Sequence, residues 1–465
     1  MLKLPSRIHI IGICGVATSA IAIAFKNKGC IVTGSDKGFY PPVSTELEKN
    51  NIPFYAGWHS ENIGTPDMIM TGGGGTSPSN PEVLYAKDHK IPVYSYPEIL
   101  EKYFIKENSI VTAGTWGKTT TSSLLSFILI QADLDPSYFT GGLSLSHSTG
   151  YISDSKWSVV EGDEYQVSIS DKRPKFVYYS PTHLLLTSVS WDHADLYPTE
   201  KAYFDEFKDL IKKIPPQGSI VACKDNEGVK EITENSKFIS YGKNPDADYH
   251  YHSIEHTNKG LAFIIQYRDE SWKINSPMLG RFNAENITGC FAMAHSIGIK
   301  PEKIISAIND FKGIRRRFEK RLEGEITVLD CHAPTPEKAS SVLESIREVY
   351  NKNIIAIYEP NIGGRQRNSA LMYDNAFKNV DILIIPRLTK LKVAGDISEN
   401  SSDQPLEGQE LTTIIRKTHT KTDYIENDEE VINSLKSQSK PGDVIVFLGS
   451  HGFRGMIEET IKVLK

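Results

Sequence analysis

Residues 109–121 read SIVTAGTWGKTTT, a short apolar strand, a glycine turn and then an amphipathic helix predicted over 119–131. Small residues at such a turn let backbone N–H groups converge on phosphate oxygens, and the helix N-terminus adds partial positive charge. Lys118 is placed to reach the β- and γ-phosphates of a nucleoside triphosphate, and the Thr119 hydroxyl to bind Mg²⁺. Thr112 stands where the strict motif has its first glycine. The strand–turn–helix context nevertheless predicts a phosphate-binding loop.

Length and composition indicate an ordinary soluble protein. The 465 residues predict about three domains at ~150 residues each. A net charge of −6 and the lack of a basic block give no support for a nucleic-acid partner. The five cysteines lack C-x-x-C spacing, so neither a disulfide framework nor a zinc site is expected. Without a signal-peptide pattern or an apolar run of ~20 residues, we expect a cytoplasmic protein that does not enter membranes.

Residues 1–107 alternate apolar strands with helical patterns, which predicts a parallel sheet with ligands at the carboxyl ends of its strands. Gly12 and Gly15 follow the first strand and would admit a diphosphate to a helix N-terminus. Ser35 and Asp36 end the second strand, where Asp36 is placed for a ribose hydroxyl. Since G-x-x-G is not the dinucleotide fingerprint, a purely structural turn stays an alternative.

Residues 108–320 form a second predicted unit with acids at its strand ends. The strand that follows the loop helix ends in Glu161-Gly162-Asp163-Glu164, where a magnesium ligand is expected after a phosphate loop. A later strand leads to Asp192-His193-Ala194-Asp195. A neutral histidine flanked by aspartates can bind a second divalent ion or orient a substrate. Charged strand ends that merely face solvent are the alternative.

Two further segments of this unit carry candidate nucleotide contacts. Asn283 and Asn286 open a helix, and their amides suit the edge of adenine. Arginines at 315–317 lie at the predicted domain boundary and suit the charge of a transferred phosphoryl group. An arginine run alone usually forms a solvated surface.

Residues 321–465 repeat the strand–helix alternation and predict a second doubly wound sheet. Polar and glycine residues collect at its strand ends, in the segments 330–336 (DCHAPTP), 359–365 (EPNIGGR) and 449–455 (GSHGFRG). Ligands of open α/β sheets bind at such ends.

Taken together, the chain resembles the Mur ligases, the ATP-dependent amide-forming family of peptidoglycan synthesis, over nearly its whole length. Family phosphate loops read G-T-x-G-K-T-T, and residues 114–120 read GTWGKTT. The resemblance implies a three-domain α/β architecture: a Rossmann-like domain for the UDP substrate (1–107), a central P-loop ATPase domain with a mostly parallel sheet (108–320) and a Rossmann-like domain that closes on ATP and binds the incoming amine (321–465).

Several segments are most similar to the murein peptide ligase branch, with the alanine-adding branch next. They are HIIGICG (9–15), YPPVST (40–45), EGDEY (161–165), DKRPKF (171–176), DHAD (192–195) and GFRG (452–455). The predicted third domain departs from the branch at two segments. Where the branch has D-D-x-A-H-H-P, this chain has DCHAPTP, and where the branch has E-P-R-S-N-T, this chain has EPNIGGR. Phe282 replaces a usual histidine, and Phe207 aligns with the carbamylated lysine of some sister ligases, with Lys208 one position off.

The resemblance implies site residues as well as an activity. Catalytic roles fall to Lys118, Glu161, His193, Arg316 and Arg317, and metal binding to Thr119, Glu161 and His193. ATP contacts fall to Gly114, Thr115, Trp116, Gly117, Lys118, Thr119, Thr120, Asn283, Asn286 and Asp330. Substrate contacts fall to Gly12, Gly15, Ser35, Asp36, Lys172 and Arg173. ATP and two Mg²⁺ ions are the implied cofactors, and the chain would act as a monomer or homodimer.

Three functional hypotheses follow. The first joins the carboxylate of UDP-N-acetylmuramate to the tripeptide L-Ala-γ-D-Glu-meso-diaminopimelate through an acyl phosphate. The second is an L-alanine-adding or otherwise respecialised ligase, and the third is a nucleotide-binding regulator that has lost ligation. The intact metal positions Glu161 and His193 argue against the regulator, because binding alone needs no second metal site. A nicotinamide dehydrogenase would leave Lys118 and the acids at 161–164 without a role.

Overall fold

The computed structural model describes residues 3–39, 43–72, 77–193, 195–361, 364–389, 405–450 and 452–465, with only the backbone of residue 368. The chain divides into two compact units. The first comprises Met1–Ile254, Ala262–Ser276 and Phe282–Lys312, and the second comprises Glu255–Leu261, Pro277–Arg281 and Gly313–Lys465. Three sheets of five, ten and six strands account for the architecture. The expected α/β class with mostly parallel sheets is confirmed.

The first sheet has the strand order β3-β2-β1-β4-β5, and all its pairings are parallel. Its strands are β1 (Arg7–Ile11), β2 (Ile31–Asp36), β3 (Phe54–Ala56), β4 (Met68–Thr71) and β5 (Val93–Ser95). The helices are α1 (Val16–Asn27), α2 (Val43–Lys49), α3 (Pro81–Asp88) and α4 (Tyr96–Ile99), the last continued by a π-helical turn over Leu100–Phe104. The strand order reverses direction at β1, which is where an open α/β sheet leaves a ligand crevice.

The second sheet has the order β15-β14-β13-β12-β11-β10-β6-β9-β7-β8. Its strands are β6 (Asn108–Ala113), β7 (Ser137–Phe139), β8 (Gly150–Tyr151), β9 (Trp157–Gly162), β10 (His183–Leu186), β11 (Ile220–Cys223), β12 (Ile239–Gly242), β13 (Tyr249–Thr257), β14 (Gly260–Tyr267) and β15 (Glu270–Ser276). The helices are α5 (Lys118–Gln131), α6 (Glu200–Lys212), α7 (Glu227–Thr233), α8 (Phe282–Ser296) and α9 (Pro301–Asp310). Strand β6 pairs in parallel with both β9 and β10, so the segments after these three strands meet at one edge.

The third sheet has the order β16-β17-β21-β18-β19-β20, with only β16 antiparallel among its described pairings. Its strands are β16 (Glu319–Leu322), β17 (Thr327–Cys331), β18 (Ile354–Glu359), β19 (Ile382–Pro386), β20 (Thr422–Ile425) and β21 (Val444–Gly449). Helices α10 (Pro336–Val349) and α11 (Gly408–Ile415) pack on one face, and α12 (Asp428–Gln438) and α13 (Met456–Leu464) on the other. Short 3-10 helices lie at Ser60–Asn62, Lys175–Tyr178, Arg367–Tyr373 and Phe453–Gly455.

The central strands are buried on both faces, which explains their continuous apolar runs. Every residue of β18 and β21 is buried. One apolar core extends from the first sheet to the second within the first unit, through side chains such as Phe104 and Phe139, whose rings lie 6.3 Å apart. The domain boundaries at 107 and 320 stay predictions.

Candidate active site

The turn between β6 and α5 requires glycine at two positions. Gly114 has φ +140°, and a Cβ there would lie 2.2 Å from the Thr187 hydroxyl oxygen. Gly117 caps α5 with φ +85°, and a Cβ there would lie 2.5 Å from the Asn286 amide oxygen. Larger residues would therefore push the turn away from the segments it rests on.

The turn is anchored on the segment that follows β10. The Thr115 N–H donates to the Ser188 carbonyl (2.7 Å), and the Trp116 N–H donates to the Ser188 hydroxyl (3.0 Å). The Thr187 hydroxyl donates to the Trp116 carbonyl at 2.5 Å. The Trp116 side chain is 58% exposed, and Thr120 lies half-buried in the first turn of α5.

Lys118 is largely buried and held by the turn itself. Its ammonium donates to the Gly114 carbonyl at 2.6 Å and to Glu164 Oε1 at 2.8 Å. Burial disfavours the charge, but the carboxylates of Glu164 and Glu161 outweigh it and raise the pKa of Lys118. The residue is a cation at neutral pH beside the helix N-terminus.

Glu161 ends β9 and faces the first turn of α5. Its carboxylate accepts from the Thr119 hydroxyl (3.2 Å), the Ser122 hydroxyl (3.3 Å) and the Gly141 N–H (2.7 Å). Burial raises the pKa of Glu161, and the nearby Lys118 charge opposes the rise. The structure brings Thr119 and Glu161 together, as the sequence predicted for a metal site.

Glu164 joins Lys118 to His193, a link that sequence reasoning missed. His193 Nε2 lies 3.6 Å from Glu164 Oε1, and the nearby carboxylate raises the pKa of His193. His193 has φ +55°, a strained conformation of the kind found at functional sites. The acid run at 161–164 was the available signal, but only its first member was assigned a role.

These side chains fit the implied metal. Thr119 lies beside Glu161 and His193 beside Glu164, on either side of the Lys118 ammonium, and oxygen ligands are what Mg²⁺ prefers. Helix α6 has no lysine at position 207, which aligns with the carbamylated lysine of some sister ligases. Phe207 is buried against Phe176 and Tyr203, and Lys208 pairs with Glu231 at 3.1 Å.

The predicted adenine amides lie next to the loop. Asn283 and Asn286 are buried in the first turns of α8, and the Asn286 amide donates to Asn283 Oδ1 at 3.1 Å. Because Asn286 also abuts Gly117, both asparagines are within the same site. Phe282, beside them, is 49% exposed.

The predicted diphosphate turn lies at the carboxyl edge of the first sheet. Gly12 has φ +82°, and the Cys14 N–H donates to Asp36 Oδ2 at 2.9 Å. The buried Ser35 hydroxyl donates to Glu82 at 2.5 Å, while its carbonyl accepts the N–H of Gly12 at 2.8 Å. Ser35 thus shapes this turn through its carbonyl, and Gly15 caps α1 with an exposed backbone.

Lys172 and Arg173 of the 171–176 segment are exposed, whereas Lys175 is buried. Arg173 pairs with Asp171 at 2.8 Å, and this hydrogen bond lowers the pKa of Asp171 to about 2. Arg173 also donates to the Tyr178 hydroxyl at 2.8 Å. Lys172 is exposed beside them.

In the second unit, the Arg316 side chain forms hydrogen bonds with neighbouring residues of the same unit. Its guanidinium donates to Asp330 Oδ1 (3.2 Å) and to the carbonyls of Ser450 (2.9 Å) and Gly449 (2.8 Å). Burial raises the pKa of Asp330, opposed by the Arg316 charge. Arg317 is exposed. Their phosphate roles stay predictions.

Some predicted motif positions fall outside the described residues. They are 40–42 of the YPPVST segment, Ala194 of DHAD, 362–363 of EPNIGGR and His451 of GSHGFRG.

Comparisons with known proteins cover almost the whole chain. Family models described as "Mur ligase family, catalytic domain", "Mur ligase middle domain" and "Mur ligase, glutamate ligase domain" match residues 7–106, 111–294 and 316–451. A UDP-N-acetylmuramate–L-alanine ligase of Brachyspira hyodysenteriae is 30% identical over 96% of both chains. The same ligase of an Anaeromyxobacter species is 28% identical over 96% of this chain and 95% of that protein.

Solved structures agree on the fold. The UDP-N-acetylmuramate–alanine ligase of Thermotoga maritima has a TM-score of 0.80 at 20% identity, covering 98% of both chains. A murein peptide ligase of Psychrobacter arcticus has a TM-score of 0.69 at 23% identity, covering 99% of this chain and 98% of that one. Among the described residues, none of the helices could cross a bilayer.

Proposed function

The chain belongs to the Mur ligase family, and we propose that it joins the carboxylate of UDP-N-acetylmuramate to L-alanine at the expense of ATP. Membership makes it an ATP-dependent ligase that forms amide bonds in peptidoglycan synthesis. L-Alanine is proposed as the acceptor because the chain is similar over its full length to L-alanine ligases. One of them is 30% identical over 96% of both chains. The relatives therefore favour L-alanine over the tripeptide that the short motifs favoured.

A carboxylate resists attack by an amine because its carbon is electron-rich and its oxygen is a poor leaving group. Transfer of the γ-phosphoryl group of ATP to this carboxylate gives an acyl phosphate and ADP. The carboxylate oxygen is then part of a phosphate group, which leaves when the amine attacks the carbonyl carbon. Phosphoryl transfer depends mainly on positioning and on neutralising charge. Lys118 would supply a fixed cation to the β- and γ-phosphates, and the N–H groups of residues 118–120 at the start of α5 would lie beside them.

Thr119, Glu161 and His193 would hold Mg²⁺, which lets the phosphate and carboxylate anions approach one another. Asn283 and Asn286 would hold the adenine, and Gly12, Gly15 and Asp36 the UDP end of the substrate. Arg316, Arg317 and Asp330 remain proposed ATP contacts, and Lys172 and Arg173 remain proposed contacts for anionic substrate groups.

A tripeptide ligase is the second candidate. The observation that favours it is the pairing of Arg173 with Asp171 and Tyr178 in a segment that resembles the peptide-adding branch. This pairing presents a fixed basic group to the surface, where it could meet an anionic peptide. Similarity to the solved murein peptide ligase of Psychrobacter arcticus, at 23% identity, supports only the fold.

A coupled assay of ADP release tests the proposal. With UDP-N-acetylmuramate and ATP present, we expect L-alanine to support turnover with kcat/KM at least ~10²-fold above that for the tripeptide, because a pocket that pairs polar groups of one acceptor rejects another strongly. Turnover with the tripeptide but not with L-alanine would establish the second candidate. ATP binding without turnover for either amine would point to a non-catalytic regulator.

A further inference from the structure

Glu164 has a buried carboxylate oxygen that the fold does not use. The side chain is 3% exposed, and Oε1 meets Lys118 while Oε2 has no hydrogen-bond partner among the described residues. Leaving a buried carboxylate oxygen without a donor or cation is costly, so such atoms call for an explanation. Oε2 is a carboxylate oxygen without a partner among the described residues, on a side chain whose other oxygen lies beside Lys118 and His193.

The position of Glu164 is fixed by its neighbours. Its carbonyl accepts from the Tyr197 hydroxyl at 2.6 Å, and its carboxylate is pinned by Lys118 at 2.8 Å. His193 Nε2 lies 3.6 Å from the same carboxylate, with the ring held edge-on to Tyr165 at 4.8 Å. A carboxylate and an imidazole at this separation can bind one divalent ion after a small adjustment.

The other acids near the loop are already engaged. Glu161 receives hydrogen bonds on both oxygens, from Thr119 on one and from Gly141 and Ser122 on the other. Asp163 is paired with Lys175 at 2.6 Å. Among the three described acids of this run, Glu164 alone combines a spare oxygen with proximity to His193.

We propose that Glu164 is a ligand of the second divalent cation, which it shares with His193, while Glu161 and Thr119 hold the first. This assignment rests on the proposed function, since it presumes a two-metal ligase. It gives the second site an anionic ligand from the chain, which histidine alone would not supply. It also ties this site directly to Lys118.

The test is Mn²⁺ binding followed by electron paramagnetic resonance, with a non-hydrolysable ATP analogue and UDP-N-acetylmuramate present. Wild type, Glu164→Gln and His193→Asn are compared, with Glu200→Gln on the exposed start of α6 as the control. We expect the first Mn²⁺ to bind in every variant, and the second to bind at least ~10-fold more weakly in both Glu164→Gln and His193→Asn.

Tight second-site binding in Glu164→Gln together with its loss in His193→Asn would overturn the proposal and leave Glu164 as a partner of Lys118 only. If Glu164→Gln does not fold, Glu164→Met replaces it, because methionine keeps a similar volume and removes both carboxylate oxygens. Weakened second-site binding then supports the proposal, and unchanged binding overturns it. A wild type that binds a single Mn²⁺ would instead contradict the two-metal site itself.

Discussion

Replacement of Lys118 by alanine is expected to lower the rate of ADP formation by roughly 10³-fold or more, the loss typical of removing a fixed charge that stabilises a transition state. The ammonium is buried, held at 2.6 Å by Gly114 and at 2.8 Å by Glu164, and is therefore already positioned before the phosphates arrive. Steady-state kinetics with L-alanine as the acceptor measures the effect. The exposed Lys230→Ala is the matched control and should keep wild-type rates.

The same substitution leaves the Glu164 carboxylate buried without its cation. Breaking a buried pair in this way costs about 3–5 kcal/mol of stability. The double variant Lys118→Ala/Glu164→Gln removes the orphaned charge and should recover most of that loss, while remaining inactive. Urea unfolding separates the two effects. Wild-type ADP formation in a folded Lys118→Ala protein would contradict the assignment of the loop.

Glu161→Gln is expected to produce the second-largest loss, a fall of about 10²-fold in kcat with weaker Mg²⁺ dependence. Glutamine keeps the shape, and its single carbonyl oxygen can still accept from the Gly141 N–H. Its NH2 group replaces the oxygen that accepts from Thr119, whose hydroxyl can rotate to accept instead, so the change removes chiefly the charge. Titration of activity with Mg²⁺ measures the effect, and Glu200→Gln is again the control. An unchanged Mg²⁺ requirement at wild-type rate would show that the metal lies elsewhere.

Local patterns predicted the strands and the helix around the loop well. The loop, its helix and the acid at the end of β9 follow from a strand–turn–helix pattern and from parallel pairing, which brings the ends of β6, β9 and β10 to one edge. Thr119 and Glu161 were expected to cooperate, and the structure places them 3.2 Å apart.

Contacts between distant segments were harder to predict. Glu164 meets Lys118 and His193 only because the segments after β9 and β10 fold over the loop. The Ser35 hydroxyl was expected to face a ligand, but it is buried against Glu82, which lies on another helix. Strands β13–β15, which widen the central sheet, carry no chemical motif and were not identified from the sequence.

The acceptor illustrates a different limit. Short segments such as 161–165 and 171–176 resemble the peptide-adding branch, whereas similarity along the whole chain favours L-alanine ligases. The acceptor is expected to bind through the third domain, and the segments 330–336 and 359–365 depart there from the peptide-adding pattern. The motifs of the ATP-binding loop therefore predict the type of reaction better than they predict which amine is the acceptor.

Transfer of heavy oxygen tests the central claim most directly. UDP-N-acetylmuramate labelled with heavy oxygen in its carboxylate is incubated with ATP, Mg²⁺ and L-alanine, and the products are analysed by mass spectrometry. We predict one heavy oxygen atom in the released phosphate for each amide formed with L-alanine, because the carboxylate oxygen leaves with the phosphoryl group. Unlabelled phosphate alongside the amide product, or no amide at all with L-alanine, would contradict the account.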